Sequence, residues 1–377
     1  MVNGRTIGII GGGQLGRMLT LAAAPLGYEV VVLNPAPDSP AKQVGAREII
    51  GDLYDEKSLR KLTEAVDFVT IEIEHMDAEV LEKLAKLQKP INPNPKTIRL
   101  IQDKYAQKVY LKDMGIPVAP FEKVESISQA KALLKEFGGK MLLKTRTGAY
   151  DGRGNMVVSD TASIAEGFKR FAGKPLYAEK FVPFTKELAV MVARSMNGEV
   201  AVYPVVETIH ARNICLEVLA PAPVSKKVRS NAEKLAAKVA GLLDGAGMFG
   251  IEMFLTKDGV VLVNEIAPRV HNSGHYTMDA SRTSQFEQHI RAISGLPLGD
   301  TSLTVPAAAM VNILGEHDRP TTLDGLDKSL SDPQVSVHLY GKSPTKVDRK
   351  MGHINATGKT VNEAVKKARK ARKALKI

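Results

Sequence analysis

Near the N-terminus, a glycine turn joins an apolar strand to a helix, and few folds accommodate that order. The strand is predicted over residues 5–10, the turn over 11–16 and the helix over 14–26, and a second apolar strand follows at 29–34. Further strands are predicted at 48–51 and 68–73, with helices at 56–65 and 78–87. Strands that alternate with helices through short connections form a parallel sheet with helices on both faces. We therefore predict a parallel-sheet domain over residues 1–95, ending in the Pro-Asn segment 89–96.

The turn itself fits G-x-G-x-x-G, with glycines at Gly11, Gly13 and Gly16. In dinucleotide enzymes such glycines bring the backbone close to a pyrophosphate, and an acidic residue at the end of the second strand holds the ribose. Here the second strand ends at Asn34, so that acid is missing. A nicotinamide-dependent dehydrogenase remains a competing hypothesis. A turn that binds another anion, or that permits tight packing of strand and helix, fits the residues better.

The positive charge of the chain is concentrated at its C-terminal end. Of the formal net charge of +11, +10 falls in the last 37 of the 377 residues. The remainder is nearly neutral, which argues against a general polyanion-binding surface. Binding of nucleic acid by the basic C-terminus is another competing hypothesis. Base stacking is not expected there, because no aromatic residue follows Tyr340. The basic residues from 366 to 376 are predicted to form the solvent face of a docked helix with Val361, Val365, Ala368 and Leu375 on its apolar side.

The cysteine content and the hydropathy pattern indicate the cellular compartment. Cys215 is the only cysteine, which excludes an intramolecular disulfide, and it is expected to be a small buried apolar residue. No uninterrupted run of 18 apolar residues is present, so no membrane span is expected. Glycines interrupt the apolar run at the N-terminus, which does not suit a signal peptide. The expected compartment is the cytoplasm.

A predicted hairpin in the second half of the chain carries two glutamates. If Asp258-Gly259 is its two-residue turn, Glu252 lies opposite Glu265. Directly opposed carboxylates repel each other unless a cation compensates. Alternatively, the turn of the hairpin lies elsewhere. The two glutamates are then not opposed, and one of them faces solvent. A cation site here, with Asn264 as a neutral oxygen ligand, would favour magnesium, since the site offers only oxygen atoms, and would imply a nucleotide phosphate as a further ligand.

The middle of the chain supplies groups that suit a phosphate site. Lys144 ends an apolar strand, so its ammonium is expected at the strand tip. The glycine-rich segment 147–155 follows and suits a flap over phosphates, although an ordinary surface hairpin has the same composition. Lys104, on a helix predicted over 97–114, is uninformative alone.

Taken together, these features resemble the ATP-grasp superfamily and, within it, the N5-carboxyaminoimidazole ribonucleotide synthetase family. The resemblance extends over nearly the whole chain. It rests on the segments 11–18 (GGGQLGRM), 70–76 (TIEIEHM), 147–154 (TGAYDGRG), 179–184 (EKFVPF), 268–274 (PRVHNSG) and 340–354. The fold that it implies is α/β and α+β: a Rossmann-like domain (1–95), two ATP-grasp subdomains (96–184 and 185–298) and a small β-rich C-terminal domain with a terminal helix (299–377).

The resemblance also implies a reaction. Bicarbonate attacks the γ-phosphate of ATP to give carboxyphosphate, and the amine of aminoimidazole ribonucleotide captures the carboxyl group or the CO₂ released from it. The cofactors would be ATP and Mg²⁺, with Mn²⁺ as an alternative ion, and the enzyme would be a homodimer without nucleic-acid or membrane partners. The formate-dependent glycinamide ribonucleotide transformylase is the alternative within the superfamily.

The resemblance assigns roles to individual residues. Glu252 and Glu265 would hold the metal, and Arg269 would stabilise carboxyphosphate, with Tyr150 and Asp151 also catalytic. His210 could equally be a structural histidine, and Glu72 and Glu74 could lie on a solvated strand edge. The implied ATP site consists of Lys104, Lys144, Ala149, Gly152, Arg153, Gly154, Glu179, Lys180, Phe181, Val182, Glu187, His210, Asn264 and Glu265. The implied ribonucleotide site consists of Gln14, Glu74, Asn272, Lys342, Arg349 and Lys350.

Overall fold

The N-terminal domain is a parallel sheet in which the strands lie in the order β3-β2-β1-β4. The computed structural model describes residues 5–87, 89–148 and 154–377. The elements of this domain are β1 (Thr6–Ile10), α1 (Gln14–Ala23), β2 (Glu29–Asn34), β3 (Arg47–Ile50), α2 (Glu56–Glu64), β4 (Phe68–Ile71) and α3 (Ala78–Leu84). The β-α alternation predicted from the sequence is confirmed.

Both faces of this sheet are buried, because successive side chains of its strands enter different cores. Val30 and Val32 of β2 pack with residues of α1, among them Leu19. Val31 and Leu33 pack with residues of α2 and α3. An apolar run without polar alternation is typical of such a doubly covered parallel strand.

Two helices, α4 (Pro95–Gln102) and α5 (Lys104–Asp113), occupy the segment where the sequence predicted one helix over 97–114. Asp103 separates them. Its backbone is extended, and its carboxylate accepts hydrogen bonds from the amides of Tyr105 and Ala106, as an N-cap residue does. The break makes Lys104 the first residue of α5.

An antiparallel sheet follows, with strands in the order β5-β8-β6-β7. Met141 and Leu143 of this sheet pack against Leu133 and Ile164 of two covering helices. The loop between β6 and β7 is the glycine-rich segment, of which residues 149–153 lie outside the described residues. The elements are β5 (Phe121–Val124), α6 (Ile127–Glu136), β6 (Met141–Thr145), β7 (Asn155–Val158), α7 (Thr161–Arg170) and β8 (Leu176–Lys180).

The rest of the chain forms one large sheet, with strands in the order β14-β13-β9-β11-β12-β15-β17-β16 and β10 paired to β9. Its strands are β9 (Phe184–Arg194), β10 (Val200–Val202), β11 (Val206–Ala211), β12 (Ile214–Ala220), β13 (Gly247–Thr256), β14 (Val261–Ala267), β15 (Ala307–Leu314), β16 (Val335–Leu339) and β17 (Lys350–Gly358). The helices are α8 (Lys226–Gly241), α9 (Thr277–Ala280), α10 (Gln285–Ile293), α11 (Leu326–Ser329) and α12 (Val361–Ala374). Because β12 pairs with β15, the predicted boundary at residue 298 divides two parts of one sheet.

The basic C-terminal helix α12 is docked on this sheet. Of its predicted apolar positions, Val365, Ala368 and Leu375 are buried and Val361 is partly buried. Lys366, Lys370 and Lys373 are exposed, as expected for a solvated face. Neither this helix nor any other in the described parts of the chain is long and apolar enough to cross a membrane.

Candidate active site

A cavity of about 650 Å³ opens where the N-terminal domain and the two antiparallel sheets come together. Segments that are far apart in sequence line it, which is typical of a ligand site between domains. The predicted site residues that line it are Gln14, Glu74, Lys144, Glu179, Phe181, Val182, Glu187, His210, Glu252, Asn264, Glu265, Arg269, Asn272 and Lys350.

Five further predicted residues that the structure describes do not line the cavity. Lys104 reaches the site through an ion pair with Glu265, and Lys342 donates to the carbonyl of Lys350 at 3.1 Å. The side chain of Arg349 donates to the carbonyl of Pro344. Lys180 is exposed at the end of β8, and Gly154 begins the return from the glycine-rich loop. Ala149, Tyr150, Asp151, Gly152 and Arg153 lie outside the described residues.

The paired glutamates lie opposite each other, as predicted, but the strands reach that register in an unexpected way. Leu255 pairs with Val261, one residue out of the predicted register, because the turn is longer than two residues. A β-bulge at Asn264 then inserts one extra residue in β14. The insertion restores the predicted register, so that Glu252 pairs with Glu265. A bulge changes the direction of side chains next to it, which explains how Asn264 and Glu265, neighbours in one strand, both line the cavity.

The charges around the two carboxylates favour a cation. Burial, together with the negative charge of Glu265, raises the pKa of Glu252 to about 7. Lys104 at the start of α5 forms an ion pair with Glu265. Two carboxylates with an amide oxygen beside them match the hard donor set that magnesium prefers. Among the residues described, no group of three or more His, Cys, Asp or Glu side chains could hold a metal ion.

The ammonium group of Lys144 lies at the edge of the cavity, where β6 leads into the glycine-rich loop. It is 3.2 Å from Glu179 on the neighbouring strand β8. Arg146, two residues further on, forms a two-pronged contact with Asp103, and its carbonyl accepts the amide of Lys104 at 2.7 Å. The root of the loop is thus attached to the helix that carries Lys104.

Apolar side chains form one wall of the cavity next to these charged groups. Phe184 and Phe254 stack with ring centroids 4.7 Å apart and nearly parallel planes. The wall is completed by Leu142, Val157, Phe181 and Val182. A flat apolar slot beside lysines and carboxylates fits a purine base followed by its phosphates.

His210 lies at the same end of the cavity and is 3.3 Å from the carboxylate of Glu187. Burial opposes protonation of His210, but Glu187 outweighs it and raises the histidine pKa. The carboxylate of Glu187 faces the cavity and remains available to a ligand hydroxyl.

Arg269 and Glu74 form a largely buried, two-pronged ion pair that also lines the cavity, with side chains 18% and 13% exposed. The Nε atom of Arg269 is 2.5 Å from Glu74 Oε2, and Nη2 is 2.9 Å from Oε1. Burial opposes ionisation of Glu74, but the guanidinium outweighs it and lowers the carboxyl pKa to about 2. Glu74 is therefore not on a solvated strand edge, which the sequence left open.

Glu72 is also buried. Its carboxyl group lies at the glycine turn, in the place where a dinucleotide enzyme binds the pyrophosphate. Its oxygens accept hydrogen bonds from the amides of Gly13 at 2.5 Å and Gly16 at 2.6 Å. A Cβ atom on Gly11, which has a φ of 104°, would lie 2.4 Å from the Glu72 side chain. The helix N-terminus that would bind pyrophosphate in a dinucleotide enzyme is therefore filled by the chain itself. This arrangement argues against the nicotinamide hypothesis.

Replacing Glu72 with glutamine is expected to lower the free energy of unfolding by roughly 1–3 kcal/mol, because one buried amide donor at the turn loses its acceptor. Urea denaturation measures the change. The matched control is Glu29→Gln on the exposed start of β2, which we expect to alter stability by less than about 0.5 kcal/mol. Equal stability of Glu72→Gln and wild type would contradict this role.

Sequence reasoning missed several side chains of the site. His271 lines the cavity 3.4 Å from Glu252, and burial lowers its pKa to about 3. It lies in the PRVHNSG segment, so the motif contained the signal. His75, His275 and Tyr340 also line the cavity. His75 and Tyr340 lie in the matching segments 70–76 and 340–354, whereas His275 follows the segment 268–274 and had no such signal.

Three family models match the chain in succession. They are a ribonucleotide synthetase preATP-grasp domain over residues 4–102, an ATP-grasp domain over 109–286 and a phosphoribosylaminoimidazole carboxylase C-terminal domain over 308–367. These matches confirm the fold class predicted from the sequence.

Curated relatives and solved structures are similar over most of the chain. Phosphoribosylaminoimidazole carboxylase of Ogataea methanolica is 48% identical over 96% of this chain, which spans 68% of that longer protein. N5-carboxyaminoimidazole ribonucleotide synthase of Bacillus subtilis is 41% identical over 93% of this chain and 91% of its own length. The structure of N5-carboxyaminoimidazole synthase from Aspergillus clavatus in complex with ADP and 5-aminoimidazole ribonucleotide covers 99% of both chains, at 39% identity and a TM-score of 0.92. The chain belongs to the N5-carboxyaminoimidazole ribonucleotide synthetase family.

Proposed function

We propose that this enzyme uses ATP and bicarbonate to carboxylate 5-aminoimidazole ribonucleotide, giving N5-carboxyaminoimidazole ribonucleotide, ADP and phosphate. One observation carries the proposal for this chain. A single cavity is lined both by Lys144, Glu252 and Glu265, which suit the phosphates of a nucleotide, and by the Arg269–Glu74 pair. Two substrates that must react with each other can therefore be held in one cavity.

In the first step, an oxygen of bicarbonate attacks the γ-phosphorus of ATP, and the bond from that phosphorus to the β-phosphate oxygen breaks. Phosphoryl transfer depends mainly on positioning and on neutralisation of charge. Lys104 and Lys144 would supply positive charge to the phosphates. Glu252 and Glu265 would hold Mg²⁺, with Mn²⁺ as an alternative, and the ion would supply positive charge against the phosphates. The apolar wall would hold adenine against the backbone of residues 179–182, with Glu187 accepting from the ribose hydroxyls.

In the second step, the carboxyl carbon is transferred to the exocyclic amine of the ribonucleotide. A C–N bond forms, the bond from carbon to the phosphate oxygen breaks, and the amine loses a proton. Arg269 is suited to hold the doubly charged carboxyphosphate, because its planar guanidinium binds such anions through two hydrogen bonds. Glu74 keeps that guanidinium oriented before the anion arrives.

The remaining assignments follow the family resemblance. We assign the ribonucleotide to the side of the cavity near Gln14, Asn272 and Lys350, with Lys342 and Arg349 contributing to its phosphate site. Tyr150 and Asp151 of the glycine-rich loop would act on the same substrate. We also propose a division of the chain into four parts at residues 95, 184 and 298. The enzyme would be a homodimer with a cytoplasmic location.

Substrate dependence of ATP hydrolysis tests the proposed function. Phosphate release should require both aminoimidazole ribonucleotide and bicarbonate, because the chemistry couples them. Hydrolysis that is indifferent to the ribonucleotide would reject the proposal. Replacing bicarbonate by formate, with glycinamide ribonucleotide as acceptor, tests the transformylase alternative, and we expect no turnover.

A further inference from the structure

Lys108 is a buried charged residue that the proposed mechanism does not use. It lies on α5, one turn after Lys104, and its side chain is 2% exposed. Its ammonium is 2.7 Å from Glu179 Oε2, and the Glu179 side chain is equally buried. A lysine is seldom buried so completely, and it remains charged only when it has a close partner.

The carboxylate of Glu179 is shared between two lysines that have different surroundings. Lys144 approaches Oε1 at 3.2 Å and lines the cavity, whereas Lys108 approaches Oε2 at 2.7 Å and does not line it. Burial opposes ionisation of Glu179, but the charges of Lys108 and Lys144 outweigh it and keep the carboxyl pKa below its usual value. Glu179 therefore has one inner counter-ion and one at the cavity surface.

We propose that Lys108 is a positioning residue of the nucleotide site: it is the inner counter-ion of Glu179 and so allows Lys144 to turn towards the nucleotide phosphates. The proposal rests on the proposed contact of Lys144 with ATP. When Lys144 moves, Glu179 loses one of its two cations. With Lys108 in place, the buried carboxylate still has a partner.

Without Lys108, Glu179 and the nucleotide phosphates would compete for Lys144. A buried carboxylate that has lost its only cation is strongly disfavoured, so Lys144 would stay with Glu179. The adenine slot does not involve Lys108 and would be unchanged. The loss should therefore appear in nucleotide affinity and not in binding of the ribonucleotide.

The test is a calorimetric titration of the full-length protein with ADP and magnesium, without ribonucleotide or bicarbonate. We expect Lys108→Met to raise the dissociation constant of ADP by about tenfold or more, with the affinity for aminoimidazole ribonucleotide unchanged. The matched control is Lys112→Met, an exposed lysine one turn further along α5, which should bind ADP like wild type. An unchanged ADP affinity in Lys108→Met would overturn the proposal.

A charge-balanced double variant separates positioning from a general loss of structure. The proposed contact of residue 179 with adenine is made by its backbone, which Glu179→Gln retains. In Lys108→Met with Glu179→Gln, no buried carboxylate remains to retain Lys144, so ADP affinity should recover to within about threefold of wild type. A double variant that binds ADP as weakly as Lys108→Met would overturn the proposal. This outcome does not depend on carboxylation, because failure of the proposed function would appear as absent product in the wild-type enzyme while ADP binding persists.

Discussion

Replacing Glu265 with glutamine is expected to reduce kcat about 10³-fold, which corresponds to roughly 4 kcal/mol of transition-state stabilisation. The amide keeps the shape of the side chain but removes the negative charge of one of the two opposed carboxylates. It also leaves Lys104 without the ion-pair partner that it has in the structure. Steady-state phosphate release at saturating substrates measures the effect.

The affinity for aminoimidazole ribonucleotide should stay within about threefold of wild type in this variant, because Glu265 is not among the residues proposed to bind that substrate. Glu316→Gln is the matched control. That exposed glutamate pairs with Arg372 far from the cavity, and its loss should leave kcat unchanged. A near-normal kcat in Glu265→Gln would reject the metal assignment of the hairpin.

Replacing Arg269 with lysine is expected to lower the rate of carboxylation about 10²- to 10³-fold. Lysine preserves the charge but cannot make the two parallel hydrogen bonds of a guanidinium. Poorly held carboxyphosphate should break down before the amine captures its carbon. We therefore expect the number of ATP molecules consumed for each carboxylated product to rise, measured as phosphate released against product formed.

The control for this variant is Arg212→Lys, which alters an arginine that pairs with Asp348 at the surface. Both changes exchange an arginine for a lysine beside a carboxylate, but only Arg269 borders the cavity. Arg212→Lys should keep the wild-type ratio of ATP to product. If Arg269→Lys keeps both that ratio and the rate, Arg269 does not stabilise the intermediate.

The hairpin with Glu252 and Glu265 illustrates how far sequence patterns reach. Alternation and a turn signal predicted the opposed glutamates correctly. They did not predict that a longer turn and a bulge at Asn264 cancel each other. Bulges depend on tertiary contacts of the strand, and the pattern of residue types contains no clear signal for them. The helix break at Asp103 was missed for a related reason, since an aspartate is compatible with both a helix interior and a cap.

The burial of charged residues was the least predictable part of the site. Glu72 and Lys108 are of types that are usually exposed, and nothing in their local sequence marks them as buried. Each is buried because a partner from a distant segment compensates its charge or its hydrogen-bonding needs: the glycine-turn amides for Glu72 and Glu179 for Lys108. Such pairs form only when segments that are distant in sequence come together in the fold. The apolar face of α12, by contrast, follows from helical periodicity and was predicted correctly.

The transfer of oxygen from bicarbonate to phosphate tests the central claim most directly. In the proposed route, the bicarbonate oxygen that attacks the γ-phosphorus remains on phosphorus when the carboxyl carbon leaves. With ¹⁸O-labelled bicarbonate, ATP and aminoimidazole ribonucleotide, each phosphate released should carry one ¹⁸O atom, detectable by mass spectrometry or ³¹P NMR. Phosphate without label, formed together with carboxylated product, would contradict a carboxyphosphate intermediate in this cavity.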